Sequence, residues 1–413
     1  MGYGVVGGGV AAVIKQNNEI IKKKCGRDSV EVKYILDLRT FPGDENESKI
    51  ISDFNTIVND SEIEIVVETM GGLHPAYEFV SACLNAGKSV VTSNKELVAM
   101  KGDELLEIAG SKNVNFMFEA AVGGGIPIIR PLIDDLTANE ITEVAGILNG
   151  TTNFILTKMI EEGVKFEDAL KTAQQLGYAE KDPTADVEGL DAARKICILA
   201  ALCFGTHIYP DSVDTAGITK VTLEDVKAAE KFGGVIKLIA RSKKLPCGRV
   251  SASVSPTVVP AKSQLGAVTD VFNAVMVKGN AVDSLVFYGR GAGKMPTASA
   301  VVADVVDCAR YNEKRKDFGW EKAKENYVAP IGDTDSSFLV RCRALDEIAA
   351  ISEISAAFSG NESVKGNGKM FITSLDNGEI LFETGVEKEK NITEKLSQMK
   401  TVEILSKYRV MKA

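Results

Sequence analysis

The stretch Gly2-Tyr3-Gly4-Val5-Val6-Gly7 is a G-x-G-x-x-G sequence, and two further glycines and an apolar pattern typical of a helix follow it. Glycines at this spacing permit a tight turn and a close backbone approach, so that a pyrophosphate can lie on the amides of a helix N-terminus. A chance glycine turn is the alternative, because the motif alone is a weak signal. The stretch predicts dinucleotide binding at Gly2, Gly4, Val5, Val6 and Gly7.

Short apolar segments alternate with helical patterns after this loop. Strands are predicted at residues 30–36, 63–68, 89–92 and 114–118, and helices at residues 10–24, 75–86 and 95–111. This order predicts an α/β domain at residues 1–128 with a Rossmann-type, doubly wound parallel sheet.

The first strand of that sheet is missing ahead of Gly2, where a doubly wound fold would have its central strand. We expect a mis-assigned start or a shortened chain, because the following helix and strand are well patterned. The alternative is a loop that hangs from an incomplete sheet.

The choice of coenzyme is expected at the end of the second strand, where Asp37 could accept hydrogen bonds from the ribose hydroxyls. Arg39, two residues later, could meet a 2′-phosphate. Because both signals coexist, the sequence predicts NAD(P) and leaves the preference open.

The remaining chain predicts two further domains. Residues 129–325 combine a strand at 141–148, helices at 152–162, 166–176 and 186–204, and β-rich segments around 250–259 and 281–288, which favours an α+β domain. A helix predicted at residues 295–310 ends near Tyr311 and is expected to pack back on the first domain. Residues 330–413 follow the order strand, helix, strand, strand, helix, strand, which is ferredoxin-like.

Composition limits the classes of function. The 413-residue chain has a net charge of −9, so it lacks the basic excess typical of nucleic-acid and anionic-membrane binding. Neither a signal-peptide pattern nor an apolar run long enough to span a membrane is present, which favours a cytoplasmic protein acting on small molecules. The seven scattered cysteines support neither a disulfide framework nor a zinc site. With two histidines in the chain, a proton-transferring group is more readily sought among Lys, Tyr, Asp and Glu.

The segment L-G-Y-A-E-K-D-P-T-A-D-V-E-G-L-D-A-A-R-K, residues 176–195, groups acids with a lysine. Asp191 and Lys195 are four residues apart on a predicted helix and share a face, and Glu180 precedes the turn at Pro183. Such a pair is commonly no more than a surface salt bridge.

Six ordered segments resemble the homoserine dehydrogenase family. Besides residues 176–195, they are V-V-E-T-M-G-G (66–72), G-K-S-V-V-T-S-N-K (87–95), F-E-A-A-V-G-G-G-I-P (118–127), G-I-L-N-G-T-T-N-F-I (146–155) and G-R-G-A-G-K-M-P-T-A-S-A-V-V-A-D (289–304). The resemblance implies NAD(P)-dependent interconversion of L-aspartate 4-semialdehyde and L-homoserine in threonine, methionine and isoleucine biosynthesis.

The resemblance also implies residue roles. Lys195 would exchange a proton with the substrate oxygen, and Lys95 would be the second active-site lysine, near nicotinamide and substrate. A nearby cation could lower the pKa of Lys195. The remaining expected residues are Glu180, Asp191, Gly150 and Thr151 for substrate, Ser93, Gly177 and Gly291 for the coenzyme, and Glu119, Val122, Gly124 and Ile126 for a structural sodium ion.

The last domain resembles an ACT domain, a module that senses amino acids. Its first loop reads Ala344-Leu345-Asp346-Glu347-Ile348, without the Pro and Gly usual there, so a domain that stabilises a dimer is an equally good interpretation. The resemblance implies that the chain forms at least a homodimer, or a homotetramer.

Two alternatives to the function of a homoserine dehydrogenase are a catalytically weakened binding homologue and aspartate-semialdehyde dehydrogenase. The latter needs a cysteine nucleophile, and no cysteine lies between residues 87 and 190.

Overall fold

The computed structural model describes residues 1–311, 315–344, 346–360, 370–375 and 377–411. The charged stretch 311–324 is predicted to be a linker, and a helix and a strand of the ferredoxin-like order are predicted at 345–358 and 369–375. Each of these three predictions lies partly outside the described residues. The helices are α1 (Val5–Gln16), α2 (Asn18–Cys25), α3 (Asn55–Asn59), α4 (Ala76–Asn85), α5 (Lys95–Lys112), α6 (Gly150–Glu162), α7 (Phe166–Gln175), α8 (Thr184–Val187), α9 (Leu190–Phe204), α10 (Leu223–Phe232), α11 (Lys294–Arg310), α12 (Glu347–Phe358) and α13 (Glu389–Gln398).

The strands are β1 (Ile35–Leu36), β2 (Ile50–Ile51), β3 (Ile65–Glu68), β4 (Ser89–Thr92), β5 (Phe116–Met117), β6 (Ile141–Ile147), β7 (Asp214–Thr215), β8 (Gly234–Lys244), β9 (Val250–Pro260), β10 (Phe272–Gly279), β11 (Asp283–Arg290), β12 (Asp335–Ser336), β13 (Phe338–Ala344), β14 (Ile372–Ser374), β15 (Glu379–Glu383), β16 (Glu387–Lys388) and β17 (Val402–Val410). The chain forms two compact units. Unit 1 comprises Met1–Val144, Arg194–Pro210 and Val277–Glu325, and unit 2 comprises Ala145–Ala193, Asp211–Met276 and Asn326–Ala413.

Unit 1 contains the predicted parallel sheet. β3, β4 and β5 pair in parallel, and β1 pairs in parallel with β2. Met1 and Gly2 lie between these two groups, because the amide of Gly2 donates to Leu36 and the amide of Thr69 donates to the carbonyl of Met1. The expected parallel α/β domain is thus confirmed, and the first two residues occupy the end of the central-strand position.

The first helix differs from the prediction. It begins at Val5 instead of residue 10 and ends at Gln16, with α2 following as a separate helix. The glycines that lower helix propensity allow close packing here, because a Cβ at position 7 would lie 2.0 Å from the carbonyl oxygen of Gly2. Tertiary contact therefore outweighs propensity at this helix start.

Unit 2 contains a mixed sheet in which β8, β9, β17, β13, β15 and β14 are successive neighbours. Its C-terminal part has β17, β13, β15 and β14 antiparallel, with α12 and α13 in the predicted order. This confirms the ferredoxin-like arrangement. β17 also pairs in parallel with β9, so the sheet continues into the preceding part of unit 2.

Two helical predictions after residue 144 are corrected. The helix predicted at 186–204 is broken into α8 and α9, because Gly189 has a φ of +81°, which glycine adopts without strain. The sequence predicts a helix from Thr152 with Thr151 or Thr152 as its N-cap. The helix begins at Gly150, and its N-cap is Asn149. In both cases a local polar or glycine residue sets the boundary.

Within the described residues, no helix has the length and apolar character needed to cross a membrane.

Candidate active site

The glycine loop lies at the carboxyl end of the parallel strands. The loop leads into α1 at Val5, with Gly4 as N-cap, so the first-turn amides of α1 have no helical acceptor. Asp37 follows β1, Thr69 follows β3 and Ser93 follows β4 at the same edge. This is where ligands bind in open parallel sheets, and the close approach of Gly7 to the carbonyl of Gly2 gives the tight turn that a phosphate-binding loop requires.

Asp37 and Arg39 form an ion pair. The Arg39 guanidinium donates to both carboxylate oxygens of Asp37, at 3.0 and 2.8 Å, and the amide of Tyr3 donates to the same carboxylate at 2.7 Å. The hydrogen bond from Arg39 is the main reason that the pKa of Asp37 lies well below its usual range. The carboxylate expected at the ribose is therefore already bound by the cation expected at a 2′-phosphate.

A buried carboxylate organises the turn that follows β3. Glu68 is fully buried and accepts from the amides of Met70 at 2.6 Å and Gly71 at 3.2 Å. Its other oxygen accepts from the Thr92 hydroxyl at 2.5 Å. Glu68 thus fixes the ends of β3 and β4 relative to each other.

Asn94 places Lys95 at the first position of α5. Its side chain caps the helix by accepting from Leu97 at 3.1 Å and donates to the carbonyl of Gly72 at 2.6 Å. Lys95 is half-buried at this helix start, directly after the strand edge. In the sequence T-S-N-K, residues 92–95, Thr92 therefore ends β4 and Asn94 caps α5. Lys95 is thereby held at the edge of the sheet.

Lys195 is buried in α9, with 7% of its surface exposed. The residue before it, Arg194, pairs with Glu96 at 3.0 Å, and Glu96 is the residue after Lys95. Both members of this pair are about two-thirds buried, with side-chain exposures of 29% and 34%. The ion pair brings the two predicted lysine-bearing segments of unit 1 together.

In unit 2, Asn149 links two carboxylates. Its amide nitrogen donates to Asp186 at 2.7 Å and to Asp191 at 2.9 Å, while its oxygen caps α6 by accepting from Thr152 at 2.9 Å. Asp191 is buried at 3% exposure, in the first turn of α9. One side chain thus joins the start of α6 to the segment that carries Asp191.

The turn that contains Gly177 and Glu180 is also fixed to α6. The Thr151 hydroxyl donates to the carbonyl of Tyr178 at 2.6 Å, and the Gln174 side chain donates to the carbonyl of Glu180 at 3.1 Å. Gly177 has a φ of +76°, and both Gly177 and Glu180 are exposed. The predicted substrate residues Gly150, Thr151, Glu180 and Asp191 therefore lie on segments that hydrogen bonds hold together.

In the glycine-rich turn after Glu119 in unit 1, main-chain amides bind the carboxylate of that residue. The Glu119 carboxylate accepts from the amides of Ile128, Ile129 and Arg130, at 2.7, 2.8 and 2.9 Å. Its own amide donates to the fully buried Asp304, whose other oxygen pairs with the Arg130 guanidinium. Since main-chain amides occupy both carboxylate oxygens, a cation at this turn would be held by carbonyl oxygens. In the described part of the chain, no cluster of three or more His, Cys, Asp or Glu side chains could hold a metal.

This turn also contacts the segment that leads into α11. The amide of Gly125 donates to the carbonyl of Arg290 at 3.1 Å, next to Gly291. Val122 and Ile126 are buried, and Gly124 has a φ of +56°. The residues predicted for sodium and the glycine predicted to return to the coenzyme are therefore neighbours.

A buried lysine supports the helix that begins at Asn149. Lys237 is 2% exposed and donates to the carbonyl of Val268 at 2.6 Å and to the Asn153 side chain at 3.2 Å. Burial lowers the pKa of Lys237 to about 8, against an ordinary value of 10.5. The folded chain therefore loses this proton at lower pH than the unfolded chain does.

We predict that the free energy of unfolding rises between pH 8 and 10.5 because of Lys237. Over this range the unfolded state binds more protons than the folded state, so stability increases with pH by about 3 kcal/mol in total. Below pH 8 both states are protonated and this slope vanishes. Urea unfolding of the wild type and of Lys237→Met at pH 8, 9 and 10 measures it. Equal slopes in the two proteins would show that Lys237 keeps its ordinary pKa.

Four residues of the site escaped the sequence analysis: Glu68, Asn149, Asp186 and the Arg194 partner Glu96. Glu68 and Asn149 stand inside recognised segments, and N-G-T-T is a helix-cap signal that could have identified Asn149. The bridging contacts of Asn149 and the pairing of Arg194 depend on tertiary proximity, which residue spacing does not reveal.

Family models match most of the chain. Residues 2–119 match the model described as homoserine dehydrogenase, NAD binding domain, and residues 127–306 match the model described as homoserine dehydrogenase. The chain is 38% identical to the homoserine dehydrogenase of Neisseria gonorrhoeae over 417 aligned positions, which cover 98% of this chain and 95% of that protein. It is 41% identical to that of Pseudomonas aeruginosa, over 87% of this chain and 84% of that protein.

Solved structures give the same result. A homoserine dehydrogenase from Thiobacillus denitrificans superimposes with a TM-score of 0.89 at 37% identity, covering all of this chain and 97% of that chain. A hyperthermophilic archaeal homoserine dehydrogenase in complex with NADPH superimposes with a TM-score of 0.63 at 28% identity, covering 74% of this chain and 95% of that chain. The similarity extends over both units.

Proposed function

Because the chain belongs to the homoserine dehydrogenase family, we propose that Lys195 exchanges the proton in an NAD(P)-dependent oxidation of L-homoserine. The chain is an oxidoreductase of this family, and the rival assignment to aspartate-semialdehyde dehydrogenase is set aside. The observation that carries the proposal is a buried lysine in α9, whose neighbour Arg194 is paired to the residue after Lys95.

The reaction divides between coenzyme and protein. A bound nicotinamide coenzyme would supply the hydride acceptor for the carbon that bears the hydroxyl group of homoserine. Lys195 accepts the hydroxyl proton during oxidation and returns it to the aldehyde oxygen during reduction. A lysine can do this near neutral pH if burial or a nearby cation disfavours its charged form. Lys95, at the edge of the sheet, is proposed as that second cation and as a contact to nicotinamide and substrate.

Substrate recognition is assigned to unit 2. Homoserine carries an ammonium, a carboxylate and a hydroxyl group, so its site needs acids as well as donors. The exposed Glu180 suits the ammonium, and Asp191, held by Asn149, suits the hydroxyl end or the orientation of Lys195. Gly150 and Thr151 supply the first-turn groups of α6. We also propose Asp186 for substrate recognition, because Asn149 donates a hydrogen bond to its carboxylate as it does to that of Asp191.

Three further features are proposed by resemblance. A structural sodium ion would use carbonyl oxygens of the turn formed by Glu119, Val122, Gly124 and Ile126, a donor set that suits a hard cation. The C-terminal ferredoxin-like segment is proposed as an ACT-type domain that stabilises a dimer, and the enzyme as a homodimer or homotetramer of the cytoplasm. The pathway is that of threonine, methionine and isoleucine biosynthesis.

The coenzyme preference is proposed from the Asp37–Arg39 pair. Arg39 is 62% exposed at its side chain, so it can turn to a 2′-phosphate, whereas Asp37 must lose this partner to accept from a ribose hydroxyl. We expect the purified chain to oxidise L-homoserine with NADP and, less efficiently, with NAD. Absence of homoserine-dependent reduction of either coenzyme would contradict the proposed function.

Replacing Arg39 with alanine is expected to raise KM for NADP by at least about tenfold, because a charge-assisted contact to phosphate is lost. KM for NAD is expected to stay the same or fall, since Asp37 becomes available to the ribose. Initial rates with both coenzymes measure the effect, and Arg39→Lys, which retains the positive charge, serves as the matched control. An equal change for NAD and NADP would show that Arg39 does not read the 2′ position.

A further inference from the structure

A loop of unit 2, residues 268–272, lies against the first turn of α6 and leads into β10. A Cβ at Gly150 would lie 2.7 Å from the carbonyl oxygen of Val271, so the loop contacts the first residue of the helix directly. The backbone at Asp270 has a φ of +56°, and its amide donates to the Thr157 hydroxyl at 3.1 Å. The loop therefore contacts α6 at both Gly150 and Thr157.

Asn153, one turn into α6, binds the carbonyl groups of this loop. Its side-chain nitrogen donates to the carbonyl oxygens of Val268, Asp270 and Phe272, at 3.3, 2.9 and 3.2 Å. Asn153 is 1% exposed, so water does not compete for these contacts. One buried amide group thus fixes three residues of the loop.

Lys237 on β8 holds the Asn153 side chain in this orientation. Its ammonium donates to the Asn153 side-chain oxygen at 3.2 Å and to the carbonyl of Val268 at 2.6 Å. An ammonium only donates hydrogen bonds, so the oxygen of the Asn153 amide must face Lys237. The nitrogen of the same amide is thereby turned towards the carbonyl groups of the loop.

A lysine buried at this position opposes folding. Lys237 is 2% exposed, and both oxygens that accept from it are uncharged. Removing an ammonium from water costs free energy, and an apolar side chain of similar volume is often neutral or stabilising in place of a buried ion. A buried group that opposes folding is expected where function requires a defined geometry.

The first turn of α6 carries groups that are assigned to substrate binding. Asn149 binds the carboxylates of Asp186 and Asp191, and the Thr151 hydroxyl binds the carbonyl of Tyr178. A displacement of this turn would therefore move several substrate contacts together. Misplacing such groups by about 1 Å can lower a rate by about 10²-fold.

We propose that Lys237 is a positioning residue for the amino-acid substrate, because it fixes the first turn of α6 through Asn153 and the loop at 268–272. The inference rests on the proposed function, in which Gly150 and Thr151 bind L-homoserine. Every contact of this network lies in unit 2, whereas the glycine loop lies in unit 1. The effect of Lys237 should therefore fall on homoserine and not on the coenzyme.

Lys237→Met and Lys237→Gln test the proposal as a matched pair, because the two side chains are similar in length and uncharged but only glutamine donates a hydrogen bond. The methionine variant is expected to lower kcat/KM for L-homoserine by at least about tenfold, with KM for NADP changed by less than about twofold. The glutamine variant should retain at least about a third of the wild-type value. Lys243→Met, at an exposed position of the same strand, should behave as the wild type.

Thr157→Val loosens the same loop without changing Lys237, since it removes the hydroxyl that accepts from the amide of Asp270. It should raise KM for L-homoserine by about threefold or more, and it decides the question if thermal unfolding shows that Lys237→Met does not fold. Equal kcat/KM in the methionine and glutamine variants would overturn the proposal, as would equal losses for homoserine and NADP.

Amide hydrogen exchange separates this inference from the proposed function. The amide of Thr152 donates to the Asn149 side chain in the first turn of α6. Its exchange is expected to quicken by at least about tenfold in Lys237→Met but not in Lys237→Gln, and unchanged exchange would contradict the positioning role. A wild-type chain that does not oxidise L-homoserine would instead contradict the proposed function, while this exchange still reports whether Lys237 fixes the turn.

Discussion

Replacing Lys195 with alanine is expected to lower kcat for L-homoserine oxidation by about 10²–10⁴-fold, the range typical of a lost general acid or base. The affinity for NADPH should change little, because the groups expected to bind the coenzyme lie on segments other than α9. These groups are the glycine loop after Met1 and the Asp37–Arg39 pair after β1. Steady-state rates and coenzyme fluorescence titration measure the two effects separately.

Lys171→Ala is the matched control for this variant. Lys171 is exposed on α7 and belongs to no contact used in the site, so its loss should leave kcat unchanged. The thermal unfolding of both variants shows whether the fold survives. Full turnover by a folded Lys195→Ala protein would remove Lys195 from the mechanism.

Replacing Asp225 with alanine is expected to lower the free energy of unfolding by about 3–5 kcal/mol, as breaking a buried ion pair typically does. Its carboxylate accepts from Arg341 at 3.0 Å, from the Ser406 hydroxyl at 2.5 Å and from the Tyr408 hydroxyl at 2.8 Å. The side chains of Asp225 and Arg341 are 1% and 9% exposed. Without Asp225, the buried guanidinium keeps one carboxylate, Glu379, at 2.8 Å.

Glu224→Ala is the control, because this neighbouring acid is exposed and its removal should change stability by less than about 0.5 kcal/mol. Urea unfolding of the wild type and both variants gives the comparison. Equal stabilities for the two variants would mean that the pairing of Asp225 with β13 and β17 contributes nothing net.

The parts of the fold that the sequence predicted are those with strong local patterns. β4 was predicted at its observed bounds, since a short run rich in β-branched residues favours a strand over a helix. The ferredoxin-like order was predicted from alternating strand and helix patterns. β8 escaped prediction because the buried Lys237 interrupts its apolar run, and burial of a lysine depends on acceptors from distant segments.

In the candidate site, too, the sequence predicted what depends on local pattern and missed what depends on tertiary contacts. Residues within recognised segments, such as Lys95, Asp191 and Lys195, were predicted from type, spacing and resemblance. The N-cap of α6 was wrongly placed at Thr151 or Thr152, and the amides that bind the Glu119 carboxylate were not predicted, because both features depend on which groups the fold brings close. The sequence predicted Asp37 at the ribose hydroxyls and Arg39 at a 2′-phosphate, and it could not show that the two side chains pair with each other.

The most direct test of the central claim is chemical rescue of Lys195→Ala by a small primary amine. If Lys195 exchanges the proton, ethylamine should restore a concentration-dependent part of kcat, and the restored rate should follow the pKa of the amine across a series. Lys95→Ala, which lacks a different lysine, should not show this dependence on amine pKa. A rate that no amine restores, in a protein that binds coenzyme and substrate normally, would contradict the assignment of proton transfer to Lys195.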